Sequence, residues 1–150
     1  MVWLVSCCKV RGKVSPIQSE MNDFSQFPSF PKAGEVFWVN IPNQPTDSHQ
    51  PRTAIVISPN GRNKNKNCNA IIVVPTTSSG WFKPHPLVHV SIPAGEGWRW
   101  IEERLYSPLR QVTTIDKSLL GSGPLGAPIA NAYREQIIKG VRRAIADPTV

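Results

Sequence analysis

Gly34-Glu35-Val36-Phe37-Trp38-Val39-Asn40-Ile41-Pro42, Arg52-Thr53-Ala54-Ile55-Val56-Ile57-Ser58-Pro59 and Ala70-Ile71-Ile72-Val73-Val74-Pro75-Thr76-Thr77-Ser78 are the stretches that decide the fold. Each is a short run rich in β-branched and aromatic residues, closed by a polar or turn-forming residue. This predicts strands over Glu35–Ile41, Thr53–Ser58 and Ala70–Val74. The third run is apolar on both faces, which predicts a central strand. Turn formers and Pro42, Pro45 and Pro51 make 42–51 a loop, and 59–69 reads as a polar loop carrying Arg62, Lys64 and Lys66.

Further along, Leu87–Ile92 alternates loosely and predicts a fourth strand, and Leu109–Ile115 predicts a fifth. Residues 93–106, with Trp98 and Trp100, carry no assignable period. After the breaker cluster Gly121–Gly126, a helix is expected over Pro128–Ile145. Pro128 suits a first turn, and Ile129, Tyr133, Ile137, Val141, Ala144 and Ile145 form an apolar stripe. Arg142 and Arg143 complement the negative end of the helix dipole. Short strands followed by one helix predict a mostly β (α+β) domain, a small barrel with a helical cover, over residues 31–150. Residues 1–30 show no period and are expected to form a disordered or loosely attached arm.

A chain of 150 residues holds one core. Its fifteen prolines argue against an all-helical fold. The formal net charge is +7, and residues 31–150 supply +6 of it, with fourteen Lys/Arg against eight Asp/Glu. The folded part is therefore the basic part, which suits nucleic acid, acidic proteins or anionic surfaces. Cys7, Cys8 and Cys68 make a poor disulfide framework and lack zinc-ligand spacing, which implies a reducing, cytoplasmic compartment. Met1–Cys8 is apolar but too short to span a bilayer, and Lys9, Arg11 and Lys13 follow it instead of preceding it. No membrane association is expected. His85 and His89 have no spaced partners, so neither a metal nor another cofactor is expected.

The chemistry is concentrated where the strands end. Arg52 carries a permanently charged planar fork that matches phosphate oxygens. A hydroxyl at the end of the third strand, from Thr76 or Thr77, can hold a phosphoryl oxygen or orient that guanidinium. In a regular strand the two threonines point to opposite faces. When a ribose 2′-OH attacks its neighbouring phosphate, charge builds on the equatorial oxygens, where a fixed arginine favours the transition state over the ground state. The loop before Arg52 offers two proton acceptors. Asp47 has an unperturbed pKa near ~3.9, and His49, near ~6.5, is better matched to neutral pH. Arg62, Lys64 and Lys66 can track an RNA backbone without reading its sequence. Trp81, Phe82, Trp98 and Trp100 can stack unpaired bases.

The order of these elements resembles the MazF/PemK (Kid-like) family of toxin endoribonucleases. The resemblance runs from about Lys32 to Leu120. It rests on the Gly34-Glu35-Val36-Phe37-Trp38-Val39 strand, on Arg52 opening an apolar strand that ends in Ser58, and on Val74-Pro75-Thr76-Thr77-Ser78. A fourth piece, Gln111-Val112-Thr113-Thr114-Ile115-Asp116-Lys117-Ser118-Leu119-Leu120, is similar to the family's Gln-[IV]-x-[TS]-[VI]-Asp-Lys-x-x-Leu block. The chain departs from the family pattern where Thr53 stands in place of the proline after the arginine, and where Asp47 stands in place of a loop glutamate.

The resemblance implies a five- to seven-stranded SH3-like or CcdB-like barrel with a C-terminal helix. It implies a type II toxin that cuts single-stranded RNA without a metal, with Arg52, Thr77 and Asp47 or His49 in the catalytic set. Thr76, Ser78 and Gln111 join Arg62, Lys64 and Lys66 as expected RNA contacts. It further implies a homodimer, and a cognate acidic antitoxin that occupies the RNA groove. A non-catalytic RNA binder, or a gyrase poison similar to CcdB on the same fold, is the alternative.

Overall fold

The computed structural model describes residues 30–41, 51–77, 89–97, 105–108 and 111–147. The expected arm lies outside them, apart from Phe30, as do Asp47, His49 and Ser78. So do the aromatics at 81, 82, 98 and 100. In chain order the elements are β1 (Val36–Val39), β2 (Arg52–Val56), a short helix α1 (Asn60–Lys64), β3 (Ala70–Pro75), β4 (His89–Ile92), β5 (Leu105–Pro108), β6 (Thr113–Asp116), a 3-10 turn (Lys117–Leu119) and the helix α2 (Asn131–Ala144). One antiparallel sheet has the order β1-β2-β3-β6, and β4 pairs with β5 in a second. The chain is thus a β-rich α+β fold with a C-terminal helix, and its main sheet is open among the described residues.

The apolar runs are explained by burial on both faces. On one face Val36, Ile55 and Val74 pack with Val90 and Ile92 of β4 and with Ile129 and Ile137 at α2. On the other, Phe37, Val39, Ala54, Val56, Ile71, Val73, Ile115 and Leu120 form a second cluster. β3 lies between β2 and β6, as its double-faced apolar sequence predicts. Each of the larger side chains contributes about 1.5–3 kcal/mol by leaving water.

Three sequence-based expectations change, and one unassigned region gains a strand. The 59–69 loop contains α1, which opens at Pro59, whose carbonyl accepts from Arg62 N and Asn63 N, each at 3.0 Å. Asn63 is buried and ties the turn to β2: its Nδ2 donates to Ser58 O at 2.9 Å, and Ser58 Oγ donates to its Oδ1 at 2.6 Å. A five-residue helix held by side chains leaves no periodic trace. Among the described residues of the expected strand Leu109–Ile115, pairing begins at Thr113, and Gln111 sits in a 3-10 turn. Pairs from Ile71↔Ile115 to Val73↔Thr113 point the odd-numbered amides of β3 at β6, and Pro75 has none to give. The unassigned 93–106 region leads into β5, which pairs from Ile92↔Leu105 to His89↔Pro108.

The helix is shorter than expected. Ile137 and Gly140 are buried, Tyr133 and Val141 are partly so, and Ala144 and Ile145 are exposed. Its start has no capping side chain of its own, but Glu96 Oε2 from the β4–β5 connection accepts from Ala130 N at 3.1 Å. That carboxylate suits the positive end of the dipole. Gly97, next to Glu96, has φ +71°, and a Cβ there would meet Ile129 Cγ2 at 2.6 Å and Val36 Cγ2 at 2.7 Å. Only glycine lets this connection close against the core.

Asp116 ends β6 and caps the 3-10 turn, its Oδ1 accepting from Ser118 N at 2.8 Å. This backbone bond, with a second from the Ser118 hydroxyl, lowers its pKa below the ordinary carboxylate value, and Lys117 adds to the shift. A depressed folded-state pKa contributes stability above the unfolded value, near ~3.9, and the contribution fades as pH falls through the folded value. Asp116→Ala is expected to cost about 0.5–1 kcal/mol at pH 7. In urea titrations its difference from the parent should persist down to about pH 4 and shrink below it. A gap independent of pH would contradict this capping role.

Candidate functional site

Arg52 is the first residue of β2, and it pairs with Val39 on β1. On its other side β2 and β3 pair Val56↔Val73, Ile55↔Val74 and Ala54↔Pro75. The next step is Thr53 with Thr76, and it is made: Thr76 N donates to Thr53 O at 2.8 Å. One step further, the same register sets Arg52 opposite Thr77. Paired residues of an antiparallel ladder share a face. Because Thr53 and Thr76 form a hydrogen-bonded pair, Arg52 and Thr77 form a non-hydrogen-bonded one, with Cα atoms about 4.5 Å apart and side chains at their closest. The guanidinium and the hydroxyl singled out from sequence are therefore cross-strand neighbours. Both residues are half-buried, and the Nε of Arg52 is out of contact with solvent.

Thr76 points the other way. It is buried, and its hydroxyl lies against the Thr53 hydroxyl, also buried, and donates to Thr53 O at 3.2 Å. The Thr76 side chain, expected among the RNA contacts, is engaged with Thr53 on the face away from Arg52. Thr53 is the residue that the sequence reading passed over as a site member. The only signal was its place where the resembling family has proline.

The rest of the expected set divides between the two ends of the β2–β3 hairpin. Exposed Gln111 precedes β6, whose antiparallel register places it at the Thr77 end. Ile41 and Pro51, which flank the segment carrying Asp47 and His49, are at that end as well. Arg62, Lys64 and Lys66 belong to the opposite end. Arg62 Nε donates to the carbonyl of Ala70, the first residue of β3. From Ala70 to Thr77 an extended strand covers about 23 Å. The structure thus separates the basic α1 cluster from the Arg52–Thr77 pair. Among the described residues no helix is long and apolar enough to cross a membrane, and no three His, Cys, Asp or Glu side chains gather as a metal site.

An antiparallel sheet buried on both faces, a C-terminal helix and an Arg–Thr pair at one rim describe a small α+β domain with a candidate site at its sheet edge. The chain belongs to the PemK-like, MazF-like family of type II toxin–antitoxin toxins, whose family model matches residues 32–146. Solved structures agree in fold. An endoribonuclease in complex with its cognate antitoxin from a mycobacterial species is 19% identical, with TM-score 0.60, covering 79% of this chain and 97% of that one. MazF from Deinococcus radiodurans is 21% identical, with TM-score 0.58, covering 78% and 97%. The Mycobacterium tuberculosis toxin MazF-mt6 is 12% identical, with TM-score 0.57, covering 75% and 96%. No curated protein sequence matches the chain.

The inward and outward threonines should separate in stability. Thr76→Val strands the Thr53 hydroxyl in a buried site and is expected to cost about 1–3 kcal/mol. Thr77→Val, on the half-exposed side, should cost less. Urea denaturation of the two variants measures the difference, and equal losses would contradict the assignment of faces.

Proposed function

We propose that this chain is the toxin of a type II toxin–antitoxin pair and an endoribonuclease that cuts single-stranded RNA. The single observation that carries this reading is the β2–β3 register, which makes Arg52 and Thr77 adjacent on one face. In the proposed reaction the 2′-OH attacks the adjacent phosphorus and the P–O5′ bond breaks, leaving a 2′,3′-cyclic phosphate and a 5′-OH. Arg52 holds the equatorial oxygens as charge develops on them, and Thr77 orients the phosphate or the guanidinium. A proton leaves the 2′-OH for Asp47 or His49, and the departing 5′ oxygen takes one up. Neither role of the protein needs a metal.

Gln111 and Ser78 extend the substrate contacts at this rim, and the α1 cations give a separate, sequence-blind attraction for RNA. The family's membership in toxin–antitoxin systems and the basic charge support an acidic antitoxin as the second partner. A homodimer, a closed five- to seven-stranded barrel and a cytoplasmic site of action belong to the same proposal.

Purified protein is incubated with a mixed RNA in EDTA beside Arg52→Ala. The parent should cut, and the variant should lose about 10²- to 10³-fold in rate, the loss seen when one transition-state donor is removed. Binding without cleavage by either protein would replace the nuclease with a non-catalytic RNA binder. Inhibition of gyrase by a protein that leaves RNA intact would replace it with a gyrase poison.

A further inference from the structure

We infer that Thr53 and Thr76 act as a positioning pair, whose hydroxyl contact holds Arg52 and Thr77 in place on the opposite face. The inference rests on the nuclease reading for its consequence in rate, but not for its structural content. The two hydroxyls meet in a buried site one residue inside the Arg52–Thr77 pair, and Thr76 Oγ1 also donates to Thr53 O at 3.2 Å. Moving either threonine therefore moves the neighbour that projects to the other side.

The contact lies at the rim end of the β2–β3 ladder, next to the Arg52–Thr77 pair. The β3–β6 pairing stops at Val73↔Thr113, and Pro75 has no N–H to continue it. The β1–β2 pairing stops at Val39↔Arg52. Beyond these points Thr76 N to Thr53 O and the hydroxyl contacts are among the bonds that hold the two strand ends together.

The apolar residues between the ends cannot set the geometry alone. Ala54, Ile55 and Val56 face Val73, Val74 and Pro75, and both faces of this stretch are buried. A register slip there exchanges one apolar neighbour for another, which is the case in which hydrophobic patterning specifies pairing weakly. Directional hydroxyl bonds distinguish one register from the next.

The test uses the full chain and compares Thr53→Val, Thr53→Ser and the double variant Thr53→Val/Thr76→Val. Each is assayed on RNA well below its unfolding temperature. Thr53→Val should lower kcat roughly tenfold, within the range for small displacements of a reacting group, with KM unchanged. Thr53→Ser, which keeps the hydroxyl, should stay within about twofold of the parent on the same grounds. The double variant removes both polar groups, so no stranded hydroxyl remains, yet it should stay as slow as the single one. Return of the double variant to the parent rate would assign the pair a purely structural role and overturn the inference, as would a Thr53→Val protein with parental kcat.

A second readout does not depend on turnover. The Arg52 Nε–Hε cross-peak in a nitrogen–proton correlation spectrum should be sharp in the parent and Thr53→Ser, and broadened in Thr53→Val and the double variant. An unchanged cross-peak in all four proteins would overturn the inference. If the parent cuts no RNA the nuclease reading fails, and the cross-peak still decides the positioning role.

Discussion

The pairing of β2 with β3 is the constraint on which the candidate site depends. Arg52 and Thr77 are separated by much of the hairpin in sequence, and each ends a strand whose neighbours are buried. Only the alignment that bonds Thr76 N to Thr53 O brings them face to face. A slip by one residue would turn Thr77 to the helix-covered face and leave Arg52 opposite Thr76 or Ser78. The alignment is fixed by polar groups at both ends of an apolar stretch. At one end is the Thr53–Thr76 contact. At the other, Ser58 Oγ accepts from Ile72 N at 3.2 Å and donates to buried Asn63, while Ile57 N donates to Ile72 O at 2.9 Å. Buried polar groups that find partners add directionality that side-chain packing lacks.

The core supplies the rigidity behind this arrangement. One face of the sheet is sealed by β4 and α2, and the other by the cluster that includes Ile115 and Leu120. After β6 the chain turns at Lys117–Leu119, and Leu120 bridges to Val39 on β1, the far side of the same sheet. The segment then follows β1, with Gly121 N, Leu125 N and Ile129 N donating to Trp38 O, Val36 O and Gly34 O. Five residues at most join the two sides of a four-stranded sheet, a reach of about 13–18 Å. The sheet is therefore strongly curved, and β1 is not left as a bare edge open to foreign strands.

Much of this was legible in the sequence. The Arg52, Ala70 and Thr113 strands announce themselves through β-branched runs, and α2 through its 3.6-residue stripe at Ile129, Tyr133 and Ile137. The Arg52–Thr77 pairing follows from strand order and resemblance together. What was not legible depends on contacts between distant residues. α1 exists because Asn63 reaches back to Ser58. Strand β6 starts late because Pro75, far away in sequence, withholds a donor. The start of α2 is satisfied by Glu96 from another connection. Thr76 looked like a surface hydroxyl because nothing in Val74-Pro75-Thr76-Thr77 shows that Thr53 faces it. The exposure of Ile145, 67%, shows the limit of a periodic stripe at a helix end, where the core has already been left behind.

The most direct measurement of the central claim is the pattern of nuclear Overhauser contacts between the two strand ends. In a non-hydrogen-bonded antiparallel pair the α-carbons approach to about 4.5 Å, so their α-protons lie in close contact. A strong cross-peak between the α-protons of Arg52 and Thr77, and none between those of Arg52 and Thr76, is the predicted result. A strong Arg52–Thr76 cross-peak would show the strands slipped by one residue, and would contradict an Arg52–Thr77 site.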